Sequence, residues 1–545
     1  MIRTREEVLV EKVGLDAAIF MRFTRMCRNV FLILSVLGCA IIIPLNITGG
    51  KGFNNWDQFS VFVKMSPQFV WGKAYWALVV LAYAFDLIMC GFLWWNYRAV
   101  VRLRRKYFDS PEYQASLHAR TLMITDIPRE LRSDEGLINV VDQVRRTTGG
   151  ARAAIGRNVK DLPDLIEEHD TAVKELESHL AKYLRNPNKL PATRPTCKPS
   201  KSDTAHPPNT KVDAIDYLTT RIKVLEMEIR EIRESVDKRN AMPYGFVSYE
   251  TIDEAHQVAF AGKKGGPSET IVRLAPRPND VIWKNLSRSK KDRKWARTVN
   301  QLYIALLTLI WIVPNALIAI FLSNLSNLGK VWPAFQKELI VHQKAWAIVQ
   351  GVLAPALTSL FYYFLPSIFR RLSMRAGDLT KTSRERHVTH SLYAFFVFNN
   401  LIVFSVFSAA WKFTTGVIAA TRDGKKDVIK AIEDEHFGST LVDAFCNVSP
   451  FWITWLLQRN LGAAIDLAQL ANLAWGSISR KFFSPTPREL IKMSAPPPFD
   501  YASYYNFFLF YMTVTLCFAP LQPIVLPVTA LYFALDSWLK KYLIL

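Results

Sequence analysis

An apolar stretch near the C-terminus decides the class of fold. Residues 504–538 read YYNFFLFYMTVTLCFAPLQPIVLPVTALYFALDSW. About 35 residues in one α-helix would measure roughly 52 Å, whereas the hydrocarbon core of a bilayer is roughly 30 Å thick. Pro520, Pro523 and Pro527 interrupt the stretch near its middle, and proline breaks a helix because it lacks the N–H donor. The stretch therefore predicts two short membrane spans joined by a tight turn.

Six further apolar runs have the length of a membrane span. They lie at 29–47, 74–95, 298–322, 345–369, 389–411 and 449–475. The 545 residues are 50% hydrophobic, with a mean hydropathy of +0.09. These values exclude an ordinary soluble enzyme and a disordered basic chain. We predict a polytopic α-helical membrane protein with about eight spans.

The charge of the chain indicates the orientation of these spans. Its formal net charge is +21, and the basic residues cluster at 3–28, 98–106, 290–297, 370–386, 480–492 and 540–541. All of these clusters fall on one side of the membrane if the spans alternate in direction. Because cytoplasmic loops carry the excess of Lys and Arg, both termini of this chain are predicted to be cytoplasmic.

The segment 98–297, between spans two and three, is long enough for one folded domain. Its pattern predicts strands near 120–128, 151–157, 243–249 and 269–275, with helices at 134–146 and 251–261. This βαββαβ order is typical of an α+β ferredoxin-like domain. Helical segments at 162–184 and 211–240 form an insertion within about 160–240. The predicted division is thus 1–97 with two spans, 98–297 as the cytoplasmic domain, and 298–545 with spans three to eight.

Residues 244–249 (YGFVSY) resemble the RNP1 strand of RNA-recognition motifs, and 122–126 (LMITD) occupy the place of RNP2. Pro243 stands where the basic residue that opens RNP1 would be. Most of the domain's positive charge also lies at its membrane ends. A structural role for the aromatic residues is therefore favoured, and nucleic-acid binding is not expected.

Four motifs together resemble a known family. They are 120–128 (RTLMITDIP), 244–249 (YGFVSY), 275–286 (APRPNDVIWKNL) and 372–380 (LSMRAGDLT). In this order they resemble the stress-gated, or hyperosmolality-gated, calcium-permeable cation channels of the OSCA type, in their fungal branch. The resemblance implies a fold related to the anoctamins, with eleven spans, an RNA-recognition-like cytoplasmic domain, and dimers with one pore per protomer. Against that plan the chain looks shortened at both ends, lacking the first span and the last two.

The resemblance implies a pore built from the central helices, here spans three to seven. Polar residues inside spans are costly and often line an ion path. The candidates are Asn315, Gln350, Asn399, Asn400, Gln458 and Asp466. Asp466 is the residue most suited to attract a cation, and pairing with Arg459 or another helix is its alternative. The asparagines could equally join helices by hydrogen bonds. Gly462 is a candidate hinge, with a packing role as its alternative.

We therefore expect a mechanically or osmotically gated, non-selective cation channel that passes calcium. A lipid scramblase on the same fold is one alternative, and a membrane-anchored RNA- or protein-binding scaffold is another. The sequence has no catalytic constellation, so neither enzyme activity nor a cofactor or metal site is expected. The expected partners are membrane lipids, the permeant ions Ca²⁺, K⁺ and Na⁺, and a second copy of the chain. The plasma membrane or an endomembrane is the expected location.

Overall fold

The computed structural model describes residues 6–545 except 52–55, 57–59, 71, 148–149, 160, 185–189, 201–206, 208–209, 323–324, 423–436, 483–484 and 497. The helices are α1 (Glu6–Val13), α2 (Leu15–Gly50), α3 (Val61–Lys64), α4 (Tyr75–Phe108), α5 (Pro111–Ala115), α6 (Asp134–Val144), α7 (Leu162–Tyr183), α8 (Ala214–Glu234), α9 (Ile252–Ala261), α10 (Trp283–Leu286), α11 (Lys290–Ile310), α12 (Ile312–Leu317), α13 (Leu325–Val331), α14 (Pro333–Val341), α15 (Gln343–Ser373), α16 (Lys381–Phe395), α17 (Phe404–Arg422), α18 (Phe437–Ala468), α19 (Leu470–Phe482), α20 (Pro487–Ser494), α21 (Tyr501–Phe518) and α22 (Val525–Ile544). Two π-helical segments, Ile318–Leu322 and Phe396–Val403, adjoin α12 and α16. The strands are β1 (Thr121–Thr125), β2 (Arg152–Arg157), β3 (Thr196–Cys197), β4 (Val212–Asp213), β5 (Ala241–Ser248) and β6 (Ile271–Leu274).

The chain divides into two compact units. The helical unit comprises Met1–Gln114, Asp280–Leu467 and Phe499–Leu545, and the sheet unit comprises Ala115–Asn279 and Ala468–Pro498. The division predicted from the sequence, at 97/98 and 297/298, concerns the side of the membrane on which each segment lies. That division stays a prediction.

The helical unit has helices at every predicted span. Among the described residues, four helices are long and apolar enough to cross a bilayer: Leu15–Gly49, Gly72–Phe108, Lys290–Leu317 and Lys381–Phe407. Helices α15, α21 and α22 occupy three of the other four predicted positions. The prediction of one span at 449–475 was wrong in extent, because α18 ends at Ala468, Gln469 has a positive φ, and α19 begins at Leu470. Helix α21 ends at Phe518 and α22 begins at Val525, so the proline-rich segment breaks the apolar stretch as predicted. The total of eight spans stays a prediction.

Large aromatic side chains form the core of the helical unit. Helix α22 packs along α2, where the rings of Phe31 and Phe533 stack at 5.8 Å. Fully buried Phe20 lies against Phe499 and Phe508 of the α21 region. Since lipid tails are as apolar as these side chains, close packing of shapes rather than removal from water holds such helices together.

The sheet unit contains a four-stranded antiparallel sheet in the order β2-β5-β1-β6. Alternation along the strands places Leu122, Ile124 and Val247 in the core beneath α6 and α9, with Leu137 and Val258 from those helices. Ser133 caps α6 by accepting a hydrogen bond from the Gly136 N–H at 2.9 Å. The strands and helices expected here from the sequence are all present.

The two helices of the insertion pack antiparallel. Near the start of α7, Glu168 accepts a hydrogen bond from Arg221 at 3.0 Å, whereas further along α7 Ala172 packs with Ala214 and Leu218 near the start of α8. A residue that comes later in α7 therefore meets one that comes earlier in α8. Leu218 and Ile222 of α8 are covered by this contact within the insertion itself.

Gly136 offers a test of how tightly α6 sits in the sheet unit. A Cβ atom at this position would lie 2.4 Å from the carbonyl oxygen of Leu131. Alanine normally favours a helix over glycine by about 1 kcal/mol, but the clash with backbone should outweigh this. We expect Gly136→Ala to destabilise the sheet unit locally by about 1–3 kcal/mol. The measurement is hydrogen–deuterium exchange of peptides covering β1, α6 and β2 in the full chain.

Gly476→Ala in α19 is the matched control, because a Cβ there meets nothing within 4 Å. Its exchange should stay the same or slow slightly. Equal protection in the Gly136→Ala chain and the parent chain would contradict the tight approach of α6 to Leu131.

Candidate functional site

Three of the predicted polar residues lie where α11 and α12 contact the π-helical segment Phe396–Val403. Asn315 Nδ2 donates a hydrogen bond to Asn400 Oδ1 at 3.0 Å, and Asn399 Nδ2 donates to the carbonyl oxygen of Thr308 at 3.3 Å. All three asparagines are buried. These bonds join α11 and α12 to the π-helical segment Phe396–Val403, so the asparagines do connect helices. We call Asn315, Asn399 and Asn400 the asparagine layer.

The asparagine layer keeps hydrogen-bonding capacity that the surrounding protein does not use. Among the described residues, neither Asn399 Oδ1 nor Asn400 Nδ2 has a hydrogen-bond partner. A buried polar atom without a partner is unfavourable in an apolar environment. A free acceptor and a free donor at one depth of a membrane helix are groups that could interact with a passing hydrated ion.

The π-helical segment that carries Asn399 and Asn400 was not predicted from the sequence. In a π turn the hydrogen bond runs from residue i to i+5, which widens the helix by one residue and is less favourable than α-helix. Such turns are often found at functional sites. A local change from π to α would rotate the side chains that follow, Asn400 among them.

The side-chain amides of Gln350 and Gln458 contact backbone groups of other helices. Gln350 Oε1 accepts a hydrogen bond from the Leu325 N–H at 3.3 Å. Gln458 Nε2 lies 3.5 Å from the carbonyl oxygen of Val352, a long contact that is readily broken. The contacts described for Gln350 and Gln458 are therefore with the backbone of Leu325 and Val352.

Gly462 lies in an unbroken part of α18. A Cβ at this position would meet nothing within 4 Å, so close packing does not require glycine here. Helix α18 ends at Ala468, and the next residue, Gln469, has a φ of 50°, a conformation that costs energy for a residue with a Cβ. A hinge at Gly462 stays a prediction, whereas the observed break is at Gln469.

Asp466 lies in a cluster of charged and aromatic groups. Its carboxylate is ion-paired with the ammonium of Lys540 on α22, and it accepts a hydrogen bond from Tyr504 Oη on α21 at 2.5 Å. Asp536 Oδ1 lies 3.9 Å from the same ammonium. Arg459, the alternative partner considered from the sequence, stacks over the ring of Trp455 at 4.4 Å. A carboxylate already paired with an ammonium is a weaker attractor of free cations.

Two of the four sequence motifs contact each other in the helical unit. Asn285 Nδ2 donates to the carbonyl oxygen of Asp378 at 2.7 Å, and the Ile282 N–H donates to the carbonyl oxygen of Leu379 at 2.9 Å. Gly377 has a φ of 76°, which glycine adopts without strain. The positive φ turns the chain so that 378–380 can pair with 281–282.

The side chain of Asp378 is buried beneath this contact. It lies 2.9 Å from His387 Nδ1 and accepts hydrogen bonds from Ser383 at 3.2 Å and Arg297 at 3.4 Å. Asp378 belongs to the motif 372–380, but the sequence pattern assigns it no role. The signal was a lone acidic residue after a glycine in a strongly basic loop. Among the described residues, no three His, Cys, Asp or Glu side chains are close enough to hold a metal ion.

The aromatic residues of 244–249, in β5 and just after it, lie on both faces of the sheet. Tyr249 belongs to the core on the helix side, and burial raises its pKa to about 12. Tyr244 and Phe246 lie on the opposite face and are half-buried, with ring centroids 6.3 Å apart. The ring of Tyr244 covers Gly156, where a Cβ would lie 2.5 Å from it. Tyr244 therefore packs on its own sheet rather than projecting from it.

Comparison with protein-family models covers nearly the whole chain. Residues 296–545 match the family described as "Calcium-dependent channel, 7TM region, putative phosphate". Residues 119–285 match "Cytosolic domain of 10TM putative phosphate transporter", and residues 1–96 match "Late exocytosis, associated with Golgi transport". The chain is thus similar, in order, to an N-terminal membrane segment, a cytosolic domain and a channel region.

Curated relatives align over almost the same length. Hyperosmolality-gated Ca2+ permeable channel 1.3 of Arabidopsis thaliana is 24% identical over 98% of this chain and 67% of the relative. Vacuolar transmembrane transporter penV of Penicillium rubens is 26% identical over 99% of this chain and 69% of the relative. An uncharacterized membrane protein of Schizosaccharomyces pombe is 23% identical, over 95% and 59% respectively.

The hydrogen bond within the asparagine layer can be tested by a double-mutant cycle. We expect Asn315→Leu and Asn400→Leu to show a coupling free energy of about 0.6–1.7 kcal/mol, the range of buried polar pairs between membrane helices. The measurement is the free energy of unfolding in mixed detergent micelles. A parallel cycle between Asn315→Leu and Gln458→Leu should be additive, because the two side chains share no hydrogen bond. Additivity in the first cycle would refute the contact.

Proposed function

We propose that this chain, which belongs to the OSCA-type family of hyperosmolality-gated, calcium-permeable channels and their fungal relatives, is a cation channel that opens under membrane tension or osmotic stress. The family is one of membrane channels and transporters, and this chain is an integral membrane protein within it. Conduction of Ca²⁺ together with K⁺ and Na⁺, without strong selection among them, is the function proposed for it.

The observation that carries the proposal is the asparagine layer on a π-helical segment. It combines two properties that a gated ion path needs at one depth of the membrane. The free amide oxygen of Asn399 is a ligand type that Ca²⁺ and monovalent cations accept in place of water. The π turn beside it could change to an α turn, which would rotate Asn400. Each property is common by itself. Their combination favours a place on the ion path for the asparagine layer.

The proposed path follows spans three to seven, which here are α11–α12, α15, α16–α17, α18 and α21. Along it, Asn315, Asn399 and Asn400 would form the central polar layer, and Gln350 and Gln458 would supply further amide oxygens. Both glutamines hold long backbone contacts of 3.3 and 3.5 Å, so hydration could replace those contacts. Asp466 is assigned to the rim of the path, because Lys540 neutralises it.

Membrane tension can open such a path through a difference in membrane area between the open and closed states. If the open state occupies more membrane area than the closed state, tension shifts the population towards it. Straightening of the π segment, with rotation of Asn400, is a movement that could accompany that expansion. Gly462 and the break at Gln469 are two places where α18 could bend.

The sheet unit is proposed to be a ferredoxin-like cytoplasmic module. The order β2-β5-β1-β6 with helices on one face supports that topology. The basic clusters support a cytoplasmic location for both termini. Lipids and a second copy of the chain are proposed partners. The relative penV is named a vacuolar transporter, so both an endomembrane and the plasma membrane remain proposed locations.

The proposal predicts stretch-activated current from the purified chain in liposomes. Suction on excised patches should open a cation conductance that carries Ca²⁺. Asn400→Leu should lower the single-channel conductance at least severalfold, because it removes a polar side chain from the path. Asn46→Leu is the matched control, since Asn46 is also buried but lies on α2, outside the proposed path, where it donates to the Met65 carbonyl oxygen. It should leave conductance unchanged.

The same liposomes distinguish the alternative functions. Transfer of a fluorescent lipid between leaflets without any current would favour a scramblase over a channel. Folded protein with neither current nor lipid transfer would overturn the proposal. An equal loss of conductance in the Asn46→Leu and Asn400→Leu chains would remove the assignment of the asparagine layer to the path.

A further inference from the structure

Lys540 carries a buried positive charge between two carboxylates. Its side chain is only 2% exposed despite its charge, and it lies in the apolar helix α22. The ammonium is ion-paired with Asp466, lies 3.9 Å from Asp536 Oδ1, and sits 3.8 Å from the ring centroid of Tyr504. A buried ammonium is stable only when such groups replace its water. Lys540 therefore needs a carboxylate partner in any conformation in which it stays buried.

The two carboxylates differ sharply in their surroundings. Asp466 is 33% exposed and Asp536 is fully buried. Neither carboxylate oxygen of Asp536 has a hydrogen-bond partner among the described residues. If the ammonium moved away, water could solvate Asp466, but water could not reach Asp536 without a rearrangement. Asp466 is thus a partly exposed carboxylate that already accepts the ammonium, and Asp536 is a buried carboxylate whose oxygens accept no hydrogen bond from the described residues.

The two acceptors also belong to different moving parts. Asp536 lies one turn from Lys540 on α22, so it stays near the ammonium however the helices move. Asp466 belongs to α18, two residues before that helix ends and three before the strained backbone of Gln469. A displacement of the end of α18 would therefore separate Asp466 from Lys540 and leave Asp536 in place.

We propose that Lys540 exchanges carboxylate partners when the channel opens: it pairs with Asp466 in the closed state and with Asp536 in the open state. This inference rests on the proposed channel function. The exchange explains why a carboxylate without hydrogen bonds is placed beside an ammonium already paired elsewhere. It also makes the end of α18 a two-state element, because each state has its own ion pair and the intermediate has neither.

Tyr504 takes part in the closed arrangement only. Its hydroxyl donates to Asp466 at 2.5 Å, and its ring lies against the Lys540 ammonium. A cation against an aromatic face is attracted to the electrons of the ring. Tyr504→Phe keeps the ring and removes the hydrogen bond, so it should weaken the closed state less than the loss of Asp466 does.

The exchange predicts opposite effects from two isosteric variants. Asp466→Asn removes the closed-state acceptor and should raise open probability roughly tenfold at a fixed, sub-saturating tension. Asp536→Asn removes the open-state acceptor and should lower open probability by a similar factor. Tyr504→Phe should shift it in the direction of Asp466→Asn, by less. Recordings of tension against open probability in liposome patches measure all three.

Two backgrounds control for general effects of charge. In a Lys540→Met chain, adding Asp466→Asn or Asp536→Asn should no longer shift the tension curve in opposite directions. In a Lys541→Met chain, which loses the neighbouring positive charge, both shifts should persist. Single-channel conductance should not change with Asp466→Asn, which separates this role from that of a cation ligand in the path. Elution as one species from size-exclusion chromatography verifies the fold of each variant.

Each outcome has a defined meaning. Stretch-activated current with shifts of the same sign, or with no shift, would overturn the partner exchange and leave the channel function standing. Absence of current from the folded parent chain would overturn the channel function itself. Opposite shifts that persist after Lys540→Met would show that the two carboxylates act independently of the lysine.

Discussion

The low polarity of the bilayer is the constraint on which this structure depends. A polar side chain within a membrane helix has no water to bond, so it must find its partner on another helix. Two contacts in the helical unit show how this requirement is met. Asn315 bonds to Asn400, and Asp466 pairs with Lys540. Each contact joins helices that are distant in sequence, and each therefore fixes how those helices pack.

The requirement is met incompletely, and the exceptions are informative. Asn399, Asn400 and Asp536 each keep buried polar atoms without a hydrogen-bond partner among the described residues. An unpartnered buried group lowers stability. The unpartnered atoms of Asn399 and Asn400 lie on a π-helical segment, and those of Asp536 lie beside an ammonium that is also paired with Asp466. At the first place Asn400 could rotate, and at the second Lys540 could pair with Asp536 instead of Asp466.

The contact between residues 280–286 and 378–382 joins two further parts of the helical unit. Asp280 accepts hydrogen bonds from the Thr382 N–H and hydroxyl at 2.8 and 2.9 Å, and Asn285 bonds to the backbone of Asp378. These residues lie immediately before α11 and between α15 and α16. The start of α11 is therefore held to the turn between two other helices, and a movement of one would be transmitted to the others.

Much of this fold could be predicted from the sequence, because local rules determined it. Helix α21 ends just before Pro520, and the alternation of aromatic residues in 244–249 marks β5. The asparagine layer was predicted as a set of polar residues, but its contacts were not, since 85 positions separate Asn315 from Asn400. The π-helical segments depend on tertiary packing and leave no distinct pattern in the sequence. Lys540 was missed because it was read as part of a basic cluster, and only the fold brings Asp466 to it across 74 positions.

The central claim is that the asparagine layer lies on the ion path and becomes wetted when the channel opens. The most direct test is the reactivity of Asn400→Cys, in a chain whose six native cysteines are replaced, with a charged, water-soluble thiol reagent. We expect modification to be slow at rest and markedly faster under membrane tension, whereas Asn46→Cys stays protected in both conditions. Equal rates with and without tension at position 400, in protein that conducts, would contradict the account.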